Sequence, residues 1–405
     1  MARVLKGRNI VLGVTGGIAA YKAVELASRL TQAGAVVDVI MTEAATRFVA
    51  PLTFQAITQR PVITDMFALP REMEIAHVSL AGRADVVVVA PATANTIAKL
   101  AQGLADNMLT ATILATAAPL IVAPAMDAGM YENPATQANL ALLRERGAVI
   151  VGPAYGRLAS GKVGKGRLAE TSEIVGTVRM VLGREGELAG RRVLVTAGGT
   201  REYIDPVRFI GNPSSGKMGY ALAEAARDRG AKVTLVSAPT ALPKPVGVEL
   251  VAVETARGMR EAVLDALPET DLLLMAAAVA DYRPAHPVSR KIKKGEAEEL
   301  TLRLVRNPDI LAEVAARRGP KPSVVVGFAA ETEDLVANAR AKLVEKRLDL
   351  VVANDVTAPD SGFGADTNRV TLIDRRGRVE ALPLLPKTEV AERVLDWAVE
   401  LLGPA

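Results

Sequence analysis

Asn9 to Thr15 is a short, mostly apolar run that stops at Gly16-Gly17; apolar positions then recur at helical spacing through Ala33, and a second apolar run fills Val36 to Met41. A short continuous run suits a strand buried on both faces, and a period near 3.6 marks an amphipathic helix, so the stretch predicts strand, glycine turn, helix, strand. The plan starts again with Arg191 to Ala197, Gly198-Gly199, a helix over Ser215 to Arg229 and a strand over Lys232 to Val236. Further buried-strand candidates are Asp85 to Ala90, Leu120 to Ala123 and Ala148 to Val151, then Asp271 to Ala276, Ser323 to Gly327 and Leu350 to Ala353. Helical patterns separate most of them, which predicts an α/β protein with two doubly wound, Rossmann-like sheets and ligand sites at the carboxyl ends of the strands. Arg369 to Ile373 and Val379 to Leu384, joined across Arg375-Arg376-Gly377, read as a β-hairpin added to the second sheet. The polar, glycine-bearing segment Gly183 to Leu188 reads as a linker, which sets two domains, 1–189 and 190–405.

Composition narrows the chemistry. A chain of 405 residues with 50% hydrophobic content has material for a core in each domain. With no cysteine there is neither disulfide nor thiolate chemistry, and two histidines, His77 and His286, argue against a zinc site, so any metal is expected to be Mg-like and held by oxygen. A net charge of +4, with acidic and basic residues interspersed, points to acidic small molecules rather than nucleic acid. The most apolar stretch, Ala111 to Met126, is broken by Pro119 and Pro124 and is shorter than the roughly 20 residues of a membrane span, and no signal-type apolar segment precedes Asn9. The expectation is a cytoplasmic protein with no membrane partner.

Phosphate-friendly segments occur in both halves. Gly16-Gly17-Ile18-Ala19 ends a strand and opens a helix, where free N–H groups and the helix dipole favour an anion. The spacing is not G-x-G-x-x-G, and no acidic residue ends the next strand, where Met41-Thr42 precede Glu43; both facts disfavour a ribose-gripping NAD site. Pro91 to Thr96 and Pro124 to Asp127 follow strands and reach the same sheet edge, so the loops could line one pocket. In the second half, Met275 to Arg283 leads from apolar residues into Asp281, and Lys291-Ile292-Lys293-Lys294 adds amines, a succession suited to a nucleoside triphosphate and its metal. Lys342 and Lys346, four apart, share a helix face; taken alone they describe a solvated surface as well as a phosphate site.

Gly16-Gly17-Ile18-Ala19, His77, Pro91-Ala92-Thr93-Ala94-Asn95 and Pro124-Ala125-Met126 with Met130-Tyr131 resemble the flavin-dependent cysteine decarboxylases. Over nearly the whole chain the sequence resembles the bifunctional phosphopantothenoylcysteine decarboxylase and phosphopantothenate–cysteine ligase family of coenzyme A synthesis. The resemblance implies a flavodoxin-like flavoprotein domain that binds FMN through Gly16, Gly17, Ile18, Ala19, Thr42, Thr93, Asn95, Asp106, Asn107, Ala125 and Met126, with His77 as base or hydrogen-bonding group. It implies a homo-oligomer, trimeric around FMN with Asp106 and Asn107 reaching a neighbour's cofactor, and dimeric through the ligase domain.

For the ligase the resemblance implies that 4'-phosphopantothenate attacks the α-phosphate of CTP and that cysteine then displaces CMP from the acyl-cytidylate. Met275, Ala276, Ala277 and Asp281 would line the cytidine and Mg2+ region, with Asp281 toward the metal. Lys291, Lys342 and Lys346 would meet the phosphates, Pro308, Asp309, Ile310, Leu311 and Phe328 would complete the base and ribose pocket, and Asn212 would bind the acyl intermediate. Two positions depart from the family pattern. Ser160 stands where the family has a lid cysteine that protonates the enethiol, and Asp127 where it has an asparagine that meets the substrate carboxylate. Two other readings stay open: a ligase fused to a flavin-binding regulatory or partly inactive domain, and a nicotinamide-dependent dehydrogenase.

Overall fold

Every residue of the first strand, β1 (Asn9–Val14), except the first is buried, as a parallel strand covered on both faces demands. The structure, a computed structural model, describes residues 3–67, 76–293, 299–331, 334–355 and 364–403. It divides into two compact units, Met1–Leu182 and Gly183–Ala405. Lys294, the last of the basic run, and Thr332, which closes the Phe328 string, lie outside the described residues.

In the first unit β1 is followed by α1 (Ala20–Gln32), β2 (Val36–Met41), β3 (Val86–Ala92), α2 (Ala94–Gln102), α3 (Met108–Ala115), β4 (Leu120–Pro124) and β5 (Val149–Ile150). The strands form one parallel sheet in the order β2-β1-β3-β4-β5. α1 buries Ala20, Ala23, Leu26, Ala27 and Leu30, a single stripe at three- and four-residue spacing, against one face of the sheet. Each fully buried leucine of such a stripe contributes about 1.5–3 kcal/mol. Gly34, at a φ of +90°, turns the chain out of the helix toward β2. A second core, including Val87, Val89, Ile97, Leu109 and Leu140, covers the other face. After the sheet come an antiparallel hairpin, β6 (Ala154–Arg157) and β7 (Val163–Arg167), and a closing helix, α4 (Thr171–Leu182).

The second unit runs β8 (Arg192–Ala197), α5 (Lys217–Arg227), β9 (Lys232–Ser237), β10 (Glu249–Ala252), β11 (Leu272–Met275), α6 (Ile310–Arg317), β12 (Val324–Glu331), α7 (Leu335–Glu345) and β13 (Leu350–Asp355). It ends with β14 (Val370–Asp374), β15 (Val379–Ala381) and α8 (Lys387–Leu402). Its eight-stranded sheet has the order β10-β9-β8-β11-β12-β13-β14-β15, parallel as far as β13. The last two strands are antiparallel, which is the added hairpin. β12 reaches Glu331, beyond the Gly327 read from the pattern, because β13 pairs with it from Val326 to Glu331.

The segment read as a linker is folded onto the second unit, so the division falls at Leu182 and not near residue 189. The Leu188 N–H donates to the Arg229 carbonyl at 2.8 Å and its side chain is 1% exposed. A side chain at Gly183 would stand 2.0 Å from the Asp228 carbonyl oxygen, so close approach, more than flexibility, accounts for this glycine.

Candidate functional sites

In the first sheet the chain leaves β1 toward β2 on one side and returns to β3 on the other, and a crevice forms at the carboxyl ends of strands where the order reverses in this way. A cavity of about 720 Å³ lies there, lined by Gly16 to Ala19, Lys22, Thr93, Ala125 to Asp127, Met130 and the hairpin residues Arg157 to Ser160 and Gly166 to Leu168. Thr15, 1% exposed, ties two of these loops together: its hydroxyl donates to the Pro91 carbonyl at 2.7 Å and accepts from the Thr93 N–H at 3.0 Å. The Ala125 N–H reaches the Ala92 carbonyl at 3.0 Å, which adds the loop after β4. Gly17 is a cradle, since a Cβ there would meet only Thr93 Cγ2, at 3.6 Å; Gly16 is packed, since its Cβ would lie 2.3 Å from Ala44 Cβ.

The hairpin closes one side of the cavity. At its root the Met126 N–H donates to the Gly166 carbonyl at 3.0 Å, and a Cβ at Gly166 would stand 2.2 Å from the Met126 oxygen. At its tip the Ser160 hydroxyl donates to Asp127 Oδ2 at 2.7 Å, while Oδ1 accepts from the Gly129 N–H at 3.1 Å. The Ser160 hydroxyl, the Gly129 N–H and the charge of Lys162 hold the Asp127 carboxyl below the ordinary aspartate range. The two positions that depart from the family pattern are therefore bonded to each other. The cationic lining, Lys22, Arg157 and Arg167, was not singled out from the sequence, although Arg157 and Arg167 flank Ser160 in the hairpin.

Of the residues named for this site, Gly16, Gly17, Ile18, Ala19, Thr93, Ala125, Met126, Asp127 and Ser160 line the cavity. Thr42, Asn95, Asp106, Asn107 and His77 are not in that lining. Thr42 caps a short helix through the Ala45 N–H, and Asn95 is exposed in the first turn of α2. Asp106 pairs with Lys99 at 2.5 Å, and Asn107 forms a capping box with Thr110 at the start of α3. His77 sits half-buried in the first turn of the helix Ala76–Arg83.

The second site gathers at the carboxyl ends of β8, β11 and β12. The loop after β11 is stitched to the glycine turn after β8: the Ala278 N–H donates to the Gly198 carbonyl at 2.8 Å, the Ala277 N–H to Thr196 Oγ1 at 3.1 Å and the Ala280 N–H to Thr200 Oγ1 at 2.9 Å. Gly219 lets α5 lie directly on β8, since its Cβ would stand 2.5 Å from Ala197 Cβ. Asn212 is exposed at this edge, with its amide 3.5 Å from the Val279 carbonyl. The Asn307 amide donates to the Ala280 carbonyl at 2.8 Å, which brings Pro308 and Asp309 beside the exposed Asp281.

Asp309 caps α6 through the Ala312 N–H at 2.9 Å and pairs with Lys346 at 2.9 Å. Burial pushes its carboxyl up, but these two partners outweigh it and leave it below the ordinary range. Glu345 and Asp309 raise the Lys346 ammonium in turn. Lys342 Nζ donates to the Phe328 carbonyl at 2.8 Å, so Phe328, Lys342, Lys346 and Asp309 stand together. Lys291 is exposed on a loop attached elsewhere, through its neighbour Ile292, to Asp205. Among the described residues no three His, Asp or Glu side chains form a metal cluster, and no helix is long and apolar enough to cross a membrane.

Comparison with known proteins matches residues 2–183 to the family described as Flavoprotein and residues 188–402 to the DNA/pantothenate metabolism flavoprotein C-terminal domain. A coenzyme A biosynthesis bifunctional protein CoaBC of Bacillus subtilis (strain 168) is 49% identical over 395 residues, covering 97% of each chain. The protein of the same name from Mycobacterium bovis is 48% identical over 410 residues, covering 98% of this chain and 97% of the other. A crystal structure of the C-terminal domain of a CoaBC protein is 42% identical, spans 54% of this chain and 98% of its own, and superposes with a TM-score of 0.46.

Proposed function

The chain belongs to the family of coenzyme A biosynthesis bifunctional proteins, a phosphopantothenoylcysteine decarboxylase joined to a phosphopantothenate–cysteine ligase, and from that premise we propose how its two sites divide the work. The matches favour neither the regulatory-subunit nor the dehydrogenase alternative. The first unit is a flavoprotein, and its cavity at the β1/β3 crossover is the FMN site. The observation that carries this reading is the open cradle at Gly17 beside Thr93, with both loops joined through the buried Thr15. The phosphate would rest on the N–H groups of Gly16 and Ile18 at the start of α1, where the helix dipole favours an anion, the Gly17 N–H being given to the Thr15 carbonyl at 3.0 Å. When bound, FMN supplies reversible hydride acceptance.

Lys22, Arg157 and Arg167 give the cavity a positive field suited to an anionic substrate. Asp127 and Ser160 face that substrate as a bonded pair, so the Ser160 hydroxyl points at an ionised carboxylate. A hydroxyl in that position is a far poorer proton donor than a thiol of pKa about 8.5, and we assign protonation of the enethiol to water or another group held by the hairpin. His77, Asp106 and Asn107 would act from a neighbouring copy in a trimer-based homo-oligomer, with dimer contacts through the ligase unit.

In the second unit, 4'-phosphopantothenate would attack the α-phosphate of CTP through its carboxylate, releasing pyrophosphate, and the cysteine amine would then displace CMP. Met275 to Ala277, Pro308 to Leu311 and Phe328 would bound the cytidine, and Asn212 the acyl group. Lys291, Lys342 and Lys346 would neutralise the phosphates. The exposed carboxylate of Asp281, in no cluster of three metal-ligating side chains among the described residues, suits Mg2+ that is held mainly by phosphate oxygens rather than by a protein cage. CTP-dependent pyrophosphate release tests this assignment: Lys291→Ala is expected to cost about 2–4 kcal/mol in transition-state stabilisation, and unchanged turnover removes Lys291 from the site.

A further inference from the structure

We propose that Asp205 is a positioning residue for the ligase reaction, gripping the backbone of the loop that carries Lys291. The inference rests on the reading that Lys291 meets the nucleotide phosphates. Asp205 lies in the turn of a short antiparallel ribbon, Arg201–Tyr203 paired with Phe209–Gly211. The root of that ribbon is fixed to the second sheet: the Arg201 N–H donates to the Glu254 carbonyl at 2.7 Å, and the Ala256 N–H donates to Glu202, itself 3% exposed, at 2.8 Å.

Asp205 is 1% exposed and accepts four hydrogen bonds. Oδ1 takes the N–H groups of Val207 and Arg208 at 2.7 and 2.8 Å, which is enough to close the turn. Oδ2 reaches outside it, to the Ile292 N–H at 3.1 Å and to Arg208 Nη1 at 2.6 Å. The same Arg208 Nη1 also donates to the Ile292 carbonyl at 3.1 Å. Both polar groups of one residue's backbone are thus held by a charge pair, and the Val288 N–H adds a third tie to the Ile204 carbonyl at 3.0 Å. Ile292 is half-buried while Lys291 and Lys293 on either side are exposed, so the grip on Ile292 leaves both amines free to face an anion. Burial pushes the Asp205 carboxyl up, but the hydrogen bonds from Val207, Ile292 and Arg208 outweigh it and hold it at about 2, so the grip stays charged at neutral pH. A turn that only had to close would not need the second oxygen directed at a residue 87 positions away.

A double-mutant cycle on the full chain tests this. Asp205→Asn should lower ligase kcat/KM for CTP roughly 5- to 30-fold, the effect of leaving one backbone residue to be ordered at each turnover. In a Lys291→Ala background the same change should cost nothing further, because Asp205 acts through that lysine. FMN content and CO2 release from phosphopantothenoylcysteine, measured on the same polypeptide, should be unchanged. Equal losses in both backgrounds, or no loss in either, overturn the proposal. Trypsin cleavage after Lys291 or Lys293 is a readout independent of catalysis: release of the loop in Asp205→Asn should accelerate it, and an unaltered rate overturns the grip itself. If Lys291→Ala alone is silent, the assignment of Lys291 fails, while the trypsin rate still reports whether Asp205 holds the loop. Should Asp205→Asn fold poorly, Arg208→Ala, at a half-exposed side chain, should show the same dependence on Lys291 with a smaller loss.

Discussion

Gly16 and Gly17 are neighbours in one turn, yet the structure predicts opposite consequences for adding a methyl group to each. At Gly17 the new Cβ meets only Thr93 Cγ2 at 3.6 Å, an ordinary contact, and projects into the cavity. The apoprotein should tolerate it, and the less flexible unfolded chain should offset any small strain by about 0.4–1 kcal/mol. FMN should not tolerate it: loss of one charge-assisted N–H to phosphate contact is worth about 1.5–3 kcal/mol, or roughly 10- to 150-fold in Kd. At Gly16 the Cβ would lie 2.3 Å from Ala44 Cβ and 2.8 Å from the Ala44 carbonyl carbon, so backbone must move. Overpacking of that kind costs about 1–3 kcal/mol before any ligand is added. The assay pairs urea unfolding of the flavin-free variants with titration of FMN followed by flavin fluorescence. Gly17→Ala should keep its unfolding midpoint and lose affinity, whereas Gly16→Ala should lower the midpoint. Full FMN affinity in Gly17→Ala, or equal destabilisation of both apoproteins, would refute the placement of the phosphate over Gly17.

Three more outcomes are expected. Residues 183–405 alone should catalyse CTP-dependent ligation, and a fragment starting at 190 should melt roughly 5–15 °C lower because it loses the buried Leu188, which calorimetry can compare directly. Ser160→Cys should speed formation of saturated phosphopantetheine and leave CO2 release little changed, as read by mass spectrometry of single-turnover products; if the wild type reduces as fast as it decarboxylates and the variant is no faster, the proton donor was never limiting. The Ser160 hydroxyl, the Gly129 N–H and Lys162 lower the Asp127 carboxyl from 3.8, so the bond at the hairpin tip is fully present above pH 3.8 and is lost only as pH falls through the lowered value. Amide exchange at Gly161 and Lys162, corrected for intrinsic rates, should then be flat from pH 8 to about pH 4, and a transition near pH 6 would assign the latch to a histidine.

Much of the fold is legible from local pattern. The two βαβ beginnings, the glycine turns after β1 and β8 and the terminal hairpin all follow from periodicity and punctuation, because burial on one face of a helix or both faces of a strand leaves its mark within a dozen residues. The family's motifs likewise mark Gly16, Thr93, Met126, Asp309 and Phe328, which lie on loops at sheet edges or on the strand end beside them. What was not legible is which of those positions touch. Ser160 and Asp127 each look like an isolated departure in the sequence, and only the folded hairpin brings them within 2.7 Å across a separation of 33 residues. Thr15 attracts no attention as a residue type, yet it joins two phosphate-side loops. Asp205 reads as part of a turn until its second oxygen is found on Ile292.

The sequence by itself determined the main strands and helices of the two sheets, the chemistry available and the segments that bear it, since these depend on residue type and short-range period; the hairpin over the first cavity and the ribbon that carries Asp205 were not read from it. The tertiary structure alone decided the strand orders, the attachment of Gly183 to Leu188 to the second unit, and the partners of Asp127, Asp205 and Lys346. Those depend on hydrogen bonds between residues far apart in the chain, and a carboxylate accepts from, or an N–H donates to, whichever partner the packing delivers; periodicity along the chain carries no record of that choice.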